Sequence, residues 1–178
     1  MIAAEVWGAR SAMIGGALRI VASFVPYTPE SIALETFYAI IDVFLLFGLF
    51  AIFARFASQP VRVARIGFVI AIIGQASIIG PDAVMCGVDF YLAGTGVLLA
   101  GLGLTSVAMM LAGPMCTTAA CWLGCIALAV AAGIAGSSIL GAAAGAVFGM
   151  GFVLAGRALL STCFIAVGWQ PMPGCFVE

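Results

Sequence analysis

Residues 31–56 read SIALETFYAIIDVFLLFGLFAIFARF, and this stretch decides the fold class. Its charges are Glu35 and Arg55 toward the two ends and Asp42 in the middle. The apolar length exceeds the roughly 20 residues that a helix needs to cross a bilayer. The rest of the chain repeats the pattern: 7 % of its 178 residues are charged and 65 % hydrophobic, with a mean hydropathy of +1.31. A soluble domain carries about a quarter charged residues. No water-facing surface can be made from this composition, and lipid is the expected solvent and partner.

Working outward from that span, turn-forming residues and charges punctuate the apolar runs. Pro26, Tyr27, Thr28 and Pro29 precede it; Ser58, Gln59 and Pro60 follow it; Gly80 with Pro81, Gly113 with Pro114, and Gly136 to Ser138 mark the later breaks. The expectation is an all-α polytopic transmembrane bundle, one domain over residues 1–178, with about six spans at 7–25, 31–56, 63–79, 89–111, 118–135 and 139–157. The first segment reads as a retained helix, since Glu5 precedes Arg10 and Arg19 interrupts the apolar run. A last helix reaching Trp169 would be about 45 Å long against a hydrocarbon core of about 30 Å. Residues 158–178 are therefore expected to leave the membrane at Arg157 and lie along its surface.

Orientation follows from arginine, because short cytoplasmic loops collect basic residues. Arg55, Arg62 and Arg65 put the second connection inside, and six spans then put both termini in the cytoplasm; a chain with Arg but no Lys or His points to a bacterial source, and the expected site is the inner membrane. Glu30, Glu35, Asp82 and Asp89 fall on the outer side, with Asp89 placed to cap the fourth helix. Trp and Tyr prefer the membrane interface. On this register Trp7, Trp122 and Trp169 form an inner belt and Tyr27, Tyr38 and Tyr91 an outer one.

Asp42 is the most informative residue. A charged group at mid-span costs about 3 kcal/mol on insertion scales, which makes it a functional candidate. Glu35, seven positions earlier, shares its helical face, and Arg19, expected about 10 Å below the end of the first helix, can reach both carboxylates. Gln75 in the third span can join them. Arg19, Glu35, Asp42 and Gln75 are the candidate ligand- or ion-binding residues, and the competing role for them is a clasp that fixes helix packing. Small residues at four-residue spacing, Gly8, Ala12 and Gly16 in the first span and Gly141, Gly145 and Gly149 in the sixth, are the candidate packing faces.

The missing residue types exclude much chemistry. Without His or Lys there is no Ser-His-Asp arrangement, no bis-His haem and no Schiff base. The six Cys match no zinc or iron–sulfur spacing and read as small hydrophobes. No catalytic residue, metal or cofactor is expected, and no basic run suits nucleic acid. The favoured reading is a non-enzymatic accessory or packing subunit of a larger membrane complex, or a bundle that associates with itself. The rival is a small permease or lipophilic-ligand carrier centred on the Arg/Glu/Asp cluster.

Overall fold

A computed structural model describes residues 2–26, 28, 31–57, 62–79, 84–85, 88–112 and 115–168. Within them the apolar runs form six helices: α1 (Ile2–Ala22), α2 (Ile32–Ala57), α3 (Arg62–Ile78), α4 (Phe90–Ala112), α5 (Cys116–Ala135) and α6 (Ser138–Gly168). A two-residue antiparallel pair, β1 (Val84–Met85) with β2 (Val88–Asp89), sits between α3 and α4. Helices α2, α4, α5 and α6 are each long and apolar enough to cross a membrane. Glu5, Arg10 and Arg19 interrupt α1, and α3 has 17 residues with Arg62 and Arg65 near its start.

Every helix packs on the next in sequence, and α6 returns to α1, so the bundle is a closed ring. The neighbours run antiparallel, as short connections require. Registers follow from the glycines. A Cβ on Gly8 would strike Ala51, one on Gly48 would strike Ala12, and one on Gly15 would meet Phe44. On its other side α1 meets α6, with Gly16 against Gly149 and Ala9 against Gly156. The most extensive interface is α3 on α4, where Gly67, Ala71 and Gly74 close on Gly101 and Leu98 with backbone against backbone. That seam of small residues, not among the faces expected from sequence, is as tight as the one between α1 and α6.

Large apolar side chains point outward along the ring, among them Phe47, Phe50, Val69, Ile73, Val107 and Val130. In water such a surface would aggregate, whereas lipid solvates it without cost. Inside lie Ile41, Leu45, Leu49, Phe68, Leu102, Trp122 and Phe152, all fully buried.

Several expectations need correction. Helix α1 ends at Ala22 rather than Val25, so Arg19 stands in its last turn, about 5 Å from the end on the helical rise. Helix α6 does not stop near Arg157 but continues unbroken to Gly168, because the turns after Arg157 contain no glycine or proline to break them before Gly168. Trp122 is no belt residue: it is 0 % exposed, packs on Phe152 at a centroid distance of 5.4 Å, and leaves its Nε1 without a partner. Gly151 opposite it supplies the room, since a methyl there would overlap the indole. Trp7, by contrast, is exposed with Arg10 over its ring at 5.7 Å. Tyr27, Glu30, Asp82, Cys86, Trp169 and Cys175 lie outside the described residues.

Asp89 does cap α4, accepting a hydrogen bond from the Leu92 N–H at 2.9 Å. The α5–α6 turn is made by Gly136 at φ 62°, whose N–H and that of Ser137 both bond to Ala132 O. Glycine takes this left-handed conformation at no steric cost.

Candidate functional site

The registers bring Arg19, Asp42, Gln75, Leu98 and Gly145 to one level of the ring. The antiparallel hairpins assemble this level in turn: Arg19 of α1 and Asp42 of α2 line one cavity, α2 and α3 place Asp42 beside Gln75, and α6 returns Gly145 to Arg19 and Ser23. At this level the interior is not filled. A cavity of about 250 Å³ is lined by residues of all six helices, including Arg19, Asp42, Gln75, Thr95, Cys125 and Gly141.

The polar wall is short of partners. Gln75 is 1 % exposed; its Nε2 donates to Asp42 Oδ1 at 3.0 Å, which leaves its Oε1 buried with no donor. Arg19 Nε is likewise buried and unpartnered, while the guanidinium lies over the Tyr38 ring at 5.8 Å. Leaving a buried polar group unpaired costs about 1–3 kcal/mol, and most such groups in folded proteins find a partner. Both residues line the cavity, so a bound molecule that supplies a donor and an acceptor would pair with them. The remaining wall is apolar, with Ile78, Leu98, Leu99, Ala129 and Phe148.

Of the four candidate residues, three line this cavity. Glu35 does not join them: it is exposed in the first turn of α2. Seven residues place it about 10 Å beyond Asp42 on the same face, a height at which helix α1 has already ended. The packing glycines also divide. Gly145 and Gly149 press on α1, whereas Gly141 has open space where its Cβ would be and borders the cavity. Cys125, read from sequence as filler, is a lining residue too.

The arrangement can hold a small molecule by a cation, a carboxylate and a primary amide set in an apolar wall. No family model matches the chain, and neither does any curated protein or solved structure. What the fold and site define is a class: an all-helical protein with helices fit to span a membrane around an internal polar cavity.

Proposed function

We propose that the chain is a six-span inner-membrane protein that binds a small polar or amphipathic molecule between its helices, as a carrier or permease does. The carrying observation is the convergence of all six helices on a cavity where the buried Gln75 Oε1 and Arg19 Nε have no partner. Polar sites between membrane helices are where transported solutes are held. The apolar outer faces of α1 (Ile14, Val21) and α3 (Ile66, Val69, Ile73) support counting these two among the spans. Arg10, Arg55, Arg62, Arg65 and Arg157 lie toward the end of the ring away from the cavity, which supports a cytoplasmic orientation for that end.

The accessory-subunit reading is less well supported, because two of the three α6 glycines that would have served a second chain are occupied. Gly145 and Gly149 are covered by α1. The test is binding by the purified protein in mild detergent. A panel of small amides, alcohols and zwitterions should include members that raise the melting temperature, and Gln75→Leu should abolish that rise while the variant itself stays folded. A panel without effect, or a rise that survives Gln75→Leu, rejects the assignment.

A further inference from the structure

A second void adjoins the first. It measures about 500 Å³, lies between the end of α1 and the start of α6, and has Arg19, Gly141 and Gly145 in common with the central cavity. Its rim carries Phe24, 71 % exposed, and Ile139, 79 % exposed, with Val25 beside them. The floor is the Arg19 guanidinium, held from behind by the Tyr38 ring, and the Tyr38 hydroxyl donates to Ala22 O at 3.3 Å. One feature leaves a passage: α6 closes on Ser23 at Gly145, but Gly141, one turn nearer the end, has no atom within 4 Å of where its Cβ would stand.

We propose that this gap is a lateral portal. Through it the site takes a small amphiphile from the membrane interface: an apolar tail runs along the Phe24 and Ile139 lip, and a polar head accepts from Arg19 Nε and donates to Gln75 Oε1. The chemistry of the two orphaned atoms sets the head. One is an N–H donor and the other a carbonyl acceptor, so a neutral or zwitterionic group with both functions, such as an amide or a hydroxyl-bearing head, satisfies both. A bare carboxylate would satisfy Arg19 but would meet the Asp42 carboxyl group and leave Gln75 Oε1 unpaired. The apolar lip selects the route. A solute arriving from water would instead pass Tyr91 at the end of the bundle, on the opposite side of the cavity.

This inference rests on the binding reading above, and the experiment separates the two. Cys125 is kept as the sole thiol, with Cys86, Cys116, Cys121, Cys163 and Cys175 replaced by Ala, and a second reporter, Thr95→Cys, is placed in a cysteine-free chain. Both line the cavity. Labelling in membranes by neutral N-ethylmaleimide is compared with labelling by a trimethylammonium methanethiosulfonate, each rate scaled to that reagent's rate with glutathione. Gly141→Phe narrows the portal where the structure leaves room for a ring, and Gly133→Phe is the control, since Gly133 has equally open surroundings and does not border either void.

The expected result is that N-ethylmaleimide labels both reporters, that Gly141→Phe slows it by about tenfold or more as blocked access does, and that Gly133→Phe leaves it unchanged. The cationic reagent should be slower than the neutral one. Equal rates with and without Gly141→Phe overturn the portal and leave the cavity reading standing. A cationic reagent as fast as the neutral one shows entry from water and overturns the membrane route. If neither reporter reacts in the unblocked chain, the cavity is closed, and the binding reading fails together with the portal.

Discussion

Gly101→Ala and Gly133→Ala are the same substitution in the same kind of helix, and the structure gives them opposite signs. In α4, a methyl on Gly101 would land on the backbone of Ala71 and Gly67 across the α3–α4 seam. Backbone cannot rotate away, so the helices must part along their most extensive contact; overpacking of this kind costs about 1–3 kcal/mol, and the upper end applies. Against that stands the gain of about 1 kcal/mol when Ala replaces Gly in a helix. The net loss is about 2 kcal/mol, or about 4–8 °C in melting temperature for a chain of this size. Gly133 in α5 meets nothing within 4 Å, so only the propensity term remains, and Gly133→Ala should gain up to about 1 kcal/mol. Titration with SDS from a mild detergent, followed by circular dichroism, measures both. Equal midpoints for the two variants, or a Gly101→Ala chain as stable as wild type, would refute the backbone-contact account of the α3–α4 seam.

Other outcomes follow from single contacts. Asp89→Ala removes the acceptor for Leu92 N–H and should cost about 1 kcal/mol, seen as roughly fivefold faster hydrogen exchange at the first amides of α4. Gly149→Leu drives a side chain into the Gly16 and Ile20 backbone; size exclusion should report loss of the folded form, and a folded chain that merely changes from dimer to monomer would show that this glycine faces a second copy. Gly136→Ala places a Cβ at φ 62°, a left-handed conformation that disfavours any residue with a Cβ by about 1–2 kcal/mol, and thermal unfolding should register that loss.

Lipid as solvent and helix as element were legible in residues 31–56 alone, because an apolar run of that length has nowhere else to be stable and must satisfy its backbone internally. The punctuation by Pro26, Pro60 and Gly136 gave the number of helices, and Asp42 announced itself by its cost. Boundaries were less secure: α6 ran on past Arg157 because one exposed arginine does not end a helix that contains no breaker. The partners of Asp42 were beyond reach, since Glu35 and Gln75 are both within a plausible helical face, and only the lengths of α1 and α2 leave Glu35 beyond the end of α1 while the α2–α3 register sets Gln75 at 3.0 Å.

The glycine faces make the same division. Spacing identifies a surface that can approach another helix, but Gly141, Gly145 and Gly149 have one pattern and two fates: two are pressed against α1, and the third borders an opening. Chain composition therefore determined the solvent and the building blocks, which depend on local hydropathy and backbone chemistry. Tertiary structure alone decided the closed ring, the void at its centre and the gap in its side, because those depend on how far apart six helices come to rest, a distance set jointly by side chains remote from one another in sequence.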